Sequence, residues 1–196
     1  MSTGRSIARL VVASSCLGLL WAAACASLPD ETRYTFVGEP DLAPKASEFY
    51  DTTAANGDIT YGPDSYLTKR CASLDCHGQL GRPLRIFSKN GLRSFDASNG
   101  GYFPNITGIT PLTPDEQKLN YESVIGVEPE VMSQVIASGG TDVNRLLLLR
   151  KPRGLERHKG GQLMTNEADE GFLCMKSWLG GNGVDTASCK IAQAVP

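Results

Sequence analysis

The chain has 196 residues, with 19 Lys and Arg against 21 Asp and Glu, and 41% of its residues are hydrophobic. That near-neutral, slightly acidic balance excludes phosphate-backbone binding, which needs clustered Lys and Arg, so nucleic acid is not an expected partner. The length and apolar content suit one domain core and not two.

The first 26 residues read as a secretory signal peptide. Arg5 and Arg9 precede an apolar run from Leu10 to Ala24 that closes in the small residues Ala22-Ala23-Ala24-Cys25-Ala26. Ser14 and Ser15 interrupt the run, which falls short of the roughly 20 residues a transmembrane helix needs. Two processing readings stay open. Cleavage before Ser27 would release a soluble periplasmic protein, whereas Ala22-Ala23-Ala24-Cys25 resembles a bacterial lipobox, in which Cys25 becomes the lipidated first residue. The lipobox is preferred, so the expected protein is exported, faces the periplasm or outer membrane, and meets the membrane through a lipid anchor. Loss of Arg5 and Arg9 takes the basic residues from 19 to 17 against 21 acidic ones, a mature net charge near −4.

Residues 27–61 are polar, rich in Pro, Thr, Asp and Gly, and without a sustained apolar period, which reads as a tether or an irregular flap. The domain is expected over 62–182. Asp64 to Cys71 suits a short helix, and the glycines and Pro83 after His77 stop regular structure before a short apolar patch, Leu84 to Phe87. Ser94 to Thr110 reads as loop. Thr113-Pro114-Asp115-Glu116 is a capping box for a helix reaching about Val124, with Leu119 and Val124 inward. A second helix is predicted from Pro129 to about Ala137, and a third from Asp142 to Arg150, ended by Pro152. A fourth runs from Glu167 to Leu179, with Asn166 capping its start and Phe172, Met175, Trp178 and Leu179 on one face. The fold class is therefore mainly α, with residues 183–196 a C-terminal strip.

Six cysteines become five when Cys16 leaves with the signal, and four when Cys25 is lipidated. Those four form two local groups, Cys71 with Cys76 and Cys174 with Cys189, and free thiols rarely persist in an oxidising compartment. Cys174 and Cys189 are expected to form a disulfide tying the last helix to the C-terminal strip. The other pair is followed at once by His77. Covalent attachment of haem c needs two thiols for the porphyrin vinyl groups and an adjacent imidazole for the iron, and Cys71-Ala-Ser-Leu-Asp-Cys76-His77 supplies that set. Four residues separate the cysteines where two are usual, a longer loop known in some multihaem cytochromes. Three other readings stand beside it: a Cys71–Cys76 disulfide, a zinc site from Cys71, Cys76, His77 and His158, and a catalytic Cys/His pair.

Cys-x4-Cys-His-Gly followed by Gly81-Arg-Pro-Leu-Arg-Ile-Phe-Ser-Lys-Asn-Gly-Leu92 resembles the cytochrome c-like lipoproteins of myxobacteria and related bacteria. Leu147-Leu-Leu-Arg-Lys-Pro-Arg-Gly154, His158-Lys-Gly-Gly161 and Lys176-Ser-Trp-Leu-Gly180 are similar to the planctomycete-type cytochrome c domains. The resemblance spans about Tyr66 to Gly180. It implies a small helical fold whose terminal helices enclose one haem, with His77 as the proximal ligand. For the sixth position His158, beside Gly160 and Gly161, is preferred, and Met164 competes from the same loop. Met132 and Met175 sit at core positions. The implied function is an exported monohaem c-type cytochrome acting in electron transfer, a carrier more than a catalyst, with a redox partner the sequence does not name. Two alternatives are a haemless, disulfide-stabilised surface lipoprotein serving as a binding or structural module, and a haem enzyme with an open iron site.

Overall fold

A computed structural model describes residues 43–96, 101–102 and 111–194; the signal segment, Cys25 and the start of the tether lie outside them. The described residues form a mainly α-helical structure. In chain order they are α1 (Ala46–Phe49), β1 (Thr52–Thr53), β2 (Ile59–Thr60), α2 (Pro63–Arg70), β3 (Phe95–Asp96), β4 (Gly101–Tyr102), α3 (Pro114–Ile125), α4 (Pro129–Ala137), a 3-10 turn (Val143–Arg145), α5 (Leu147–Arg150), α6 (Glu170–Leu179) and α7 (Thr186–Ala194). The two small antiparallel pairs join Thr52 to Thr60 and Phe95 to Tyr102.

The helix starts follow their local chemistry. Thr113 accepts from the Glu116 amide while Glu116 reaches back to the Thr113 amide, completing the capping box, with Pro114 in the first turn. α4 occupies the predicted span from Pro129 to Ala137. The predicted helix from Asp142 to Arg150 is instead two pieces, because Leu146 is extended (φ −74°, ψ 130°) and Glu128 Oε2 accepts from the Leu147 amide at 2.5 Å. The start of α6 is also corrected: Asp169, not Asn166, is the cap, accepting from Gly171, while Asn166 caps only the Ala168 amide at 2.7 Å. The segment predicted as a C-terminal strip is helical over α7, where Cys189 sits bonded to Cys174 of α6. The cross-link closes 15 residues of chain, worth on the order of 3 kcal/mol by the loop-entropy relation.

The core is built where α2 packs on α6 and α7. Trp178, Phe172, Met175 and Leu179 of α6 are fully buried, as are Leu146, Leu149, Val124 and Val135. Residues 43–50 lie on this core as a flap, and the hairpin of β1 and β2 that follows is exposed. Phe49 is fully buried with its ring 5.1 Å from Trp178, Trp178 Nε1 donates to Lys45 O at 3.0 Å, and Tyr121 Oη donates to Pro44 O at 2.8 Å. A single aromatic anchor of this kind buries enough apolar surface to hold an otherwise polar segment.

α3 departs most from its predicted face. Leu119 is only half-buried, and the inward stripe is Glu116, Asn120 and Val124. Glu116 meets Arg93 in a bidentate pair at 2.9 Å and 2.9 Å, and also accepts from the Ser94 and Thr113 amides. Burial would raise the Glu116 pKa, but those donors hold it below the usual range. Asp64 of α2 is the opposite case. Burial raises its pKa to about 7, the amide of Asn120 opposes the rise, and the nearby Asp51 carboxylate adds to it.

Removing Arg93 leaves a buried carboxylate without its cation, so Arg93→Ala should lose about 3–5 kcal/mol in urea unfolding; a loss under about 1 kcal/mol would place the pair among weak surface bridges. Asp64 gives a pH signature. Its folded pKa lies above its unfolded one, so its contribution to stability is complete below about pH 4 and is lost as pH rises toward 7, by at most about 4 kcal/mol at 1.4 kcal/mol per unit. Asp64→Asn keeps an acceptor for Asn120 and removes the titration. Urea unfolding should find the variant gaining on the parent between pH 4.5 and 7.5, and equal slopes in the two proteins would refute the assignment.

Candidate functional site

α2 delivers the site. Its C-cap is Cys71, whose amide donates to Leu67 O at 2.8 Å. The four-residue spacer then folds on the Ser73 carbonyl, which accepts from both the Cys76 and the Gly78 amides at 2.9 Å, and the His77 amide returns to Cys71 O at 2.9 Å. The extra spacer residues are looped outward, with Leu74 exposed, so the two ends of the motif meet although the spacer is long. Gly78 is required by contact. A Cβ there would lie 2.2 Å from the Ala72 carbonyl oxygen, so the chain cannot turn back so closely with any side chain at that position.

Cys71 and Cys76 are both thiols, whereas Cys174 and Cys189 are bonded. Burial pushes the Cys71 thiol up to about 12, with Cys76 adding to the rise and Arg70 opposing it. A thiol so disfavoured as thiolate is poorly suited to nucleophilic catalysis.

His77 is held from behind by the segment after it. Its Nδ1 lies 2.9 Å from Leu84 O, and its own carbonyl accepts from the Ile86 amide at 2.9 Å. That segment is fixed in turn by α3, since Asn120 Oδ1 accepts from the Phe87 amide at 2.7 Å, Asn120 Nδ2 donates to Phe87 O at 3.0 Å, and Ser123 Oγ accepts from the Arg85 amide at 2.8 Å. The pKa of His77 is lowered, first by burial, against the Leu84 hydrogen bond, and further by His158, Arg82 and Lys151. A neutral imidazole is the form that binds metal.

His158 is brought to the same place from the other half of the chain. The His158 and His77 ring centres are 6.1 Å apart, with planes inclined by 22°. A tight turn locks it: Nδ1 is 2.8 Å from Gly161 O, the Gly161 amide donates to His158 O at 3.1 Å, and Gly161 has φ +76°. A Cβ on Gly160 would come within 3.3 Å of the His158 ring. In both histidines the Nδ1 partner is a carbonyl, which can only accept. In its neutral form each ring would therefore carry its proton on Nδ1 and leave the Nε2 lone pair free, the tautomer set by second-shell partners at metal sites.

Met164, the competing sixth ligand, is buried in the hydrophobic core, and its amide donates to Pro152 O at 3.0 Å. Among the described residues no group of three or more His, Cys, Asp or Glu is gathered for a metal ion, so the four zinc ligands weighed from the sequence do not converge. A cleft of about 340 Å³ lies elsewhere, between the ends of α4 and α6, lined largely by Gly139, Gly140, Gly180 and Gly183 with Lys176 and Asp185. It contains none of the site residues and offers no convergent ligand set. Outside the expected set, the sequence reading missed Arg82, Lys151 and the supporting Asn120. The four-residue spacing of Glu116, Asn120 and Val124 was the available signal for Asn120, because it puts two polar residues on the stripe of a buried valine.

No family model, curated protein or solved structure matches the chain.

Asn120→Ala would strip partners from both polar groups of Phe87 and from Asp64. The expected loss is about 2–4 kcal/mol from groups left buried and unpaired, together with faster amide hydrogen exchange at Ile86, the residue bonded to the His77 carbonyl. Unchanged exchange at Ile86 would mean that α3 does not hold His77 in position.

Proposed function

We propose that this chain is an exported c-type cytochrome carrying one haem, bound covalently through Cys71 and Cys76 and ligated by His77 and His158, and that it transfers electrons. The observation that carries the reading is the histidine pair. A metal–imidazole bond is about 2.0–2.1 Å, so two imidazoles on opposite sides of one ion would have ring centres about 6 Å apart, and the separation here is 6.1 Å with each Nδ1 engaged by a carbonyl.

The surroundings fit the same group. Five large hydrophobic side chains are exposed among the described residues, and three of them, Leu74, Leu80 and Leu155, lie within three residues of His77 or His158 in the chain. Apolar side chains left exposed close in the chain to the two histidines are of the kind a porphyrin face would cover. Arg82 Nε is buried without a hydrogen-bond partner in the segment following His77. The cytochrome c-like fold reading is supported by α2, which ends at Cys71, packing on the last two helices.

Haem iron, when bound, supplies reversible one-electron exchange. The chain's own residues do the rest. Leu84 O and Gly161 O orient the two imidazoles, and Cys71 and Cys76 would tether the macrocycle. With His77 and His158 both holding the iron, no position would be open to a substrate, which would favour electron transfer. Export, lipidation of Cys25 and the membrane anchor belong to the same proposal. Among the described residues no helix is long and apolar enough to cross a membrane.

Co-expression with a haem-maturation system should yield a haemochrome spectrum that survives denaturation and is lost in the Cys71→Ala/Cys76→Ala double variant; no retained haem in the parent would end the proposal. The reduced parent should not bind carbon monoxide, His158→Ala should bind it, and Met164→Leu should behave as the parent. Carbon monoxide binding gained by Met164→Leu in place of His158→Ala would reassign the sixth ligand.

A further inference from the structure

The cations of the described residues are not alike. Arg150 pairs with Glu156 at 2.6 Å, Arg153 with Glu167 at 3.4 Å, and Arg93 with Glu116. Arg85 lies over the Phe87 ring at 5.4 Å. Arg82 and Lys151 are also half-buried, yet neither has a carboxylate or ring partner among the described residues. Both lie near enough to His77 for their charges to act on it. They reach it from opposite halves of the chain: Arg82 sits between His77 and its partner Leu84, and Lys151 follows α5, seven residues before His158.

Desolvating a cation without an opposing charge is costly, and a buried guanidinium nitrogen without an acceptor adds to the cost. Arg82 Nε is such a nitrogen. Two half-buried positive charges flanking one imidazole, one with an unused donor, call for an anion at that place. Haem carries two carboxylates on its propionate arms, and Arg recognises a carboxylate through paired donors while Lys does so as a point charge.

We infer that Arg82 and Lys151 are the propionate-binding residues of this site: Arg82 donates to one haem carboxylate, and Lys151 balances the charge of the propionate edge. The inference rests on the haem reading above. It assigns both residues to binding and charge balance, with no part in electron exchange itself. Offsetting the propionate charge destabilises ferric relative to ferrous haem, so both residues raise the reduction potential.

The test uses the full chain matured with haem in a host that attaches it, comparing the parent with Arg82→Gln, Arg82→Lys, Lys151→Gln and the exposed-site control Lys118→Gln. Covalent haem is counted first from the denatured haemochrome. The propionate bending modes are then read by resonance Raman spectroscopy, and the potential by redox titration. Arg82→Gln and Lys151→Gln should each move a propionate mode to lower frequency and lower the potential. Arg82→Lys should restore the potential but not the mode, and Lys118→Gln should change neither. If Arg82→Gln fails to mature, the Arg82→Lys and Lys151→Gln spectra decide the matter. Parental modes in those variants, with haem retained, would overturn the assignment and leave the cytochrome reading standing. A parent that retains no haem overturns both.

Discussion

The side-chain amide of Asn120 is the contact on which the rest of the site depends. It is fully buried and uses both ends: the oxygen takes the Phe87 amide, and the nitrogen serves Phe87 O and Asp64 Oδ1. One residue thus pins together the helix that ends at Cys71, the extended segment that backs His77, and α3. Without regular pairing partners, the segment 84–88 would leave its peptide groups unsatisfied in the interior. Asn120 supplies to Phe87 the donor and acceptor that a neighbouring strand would otherwise provide.

From that anchor the constraint passes to the histidines through backbone. Phe87 is fixed, so Leu84 and Ile86 are positioned, and these two hold the imidazole and the carbonyl of His77. His158 achieves the same orientation by another route, folding its ring over Gly160 and bonding the next carbonyl in its own turn. One imidazole is set by long-range packing and the other by a local loop, yet both present the same nitrogen. Under the proposed haem ligation, rings held in the right tautomer beforehand would lose less freedom on binding. The buried Asp64 is part of the cost, since the position that accepts from Asn120 also places a carboxyl group in a poorly solvated site near Asp51.

Much of the fold could be read in advance where local chemistry decides it. The capping box at Thr113, the span of α4 and the partnership of Cys174 with Cys189 depend on residues close in sequence or few in number. The misreadings share a cause. Asn166 and Asp169 are both good caps, and choosing between them depends on where α6 meets Tyr66, whose ring leaves no room for a side chain on Gly171. Leu146 breaks a continuous apolar run because Glu128, eighteen residues earlier, captures the following amide. The flap at Phe49 was hidden because one aromatic in a polar stretch produces no period, and α7 because its small residues carry little apolar signal.

The site itself was legible as a list of residues and not as an arrangement. Cys71, Cys76 and His77 are adjacent, so their order alone suggests the chemistry, but nothing local relates His77 to a histidine 81 positions later. The supporting residues were harder still, because Asn120 and Glu116 look like the solvated face of a helix until the buried Arg93 and Phe87 are seen opposite them. Hydrophobic periodicity assumes that a helix turns its apolar side inward, and α3 fully buries an apolar side chain only at Val124. The polar stripe is tolerated because its groups are answered, by Thr113 and Asp64 and above all by the segment 84–94 that must be held still behind His77. The same hydrogen bonds that make this face of α3 affordable to bury therefore also fix the loop on which the imidazole rests.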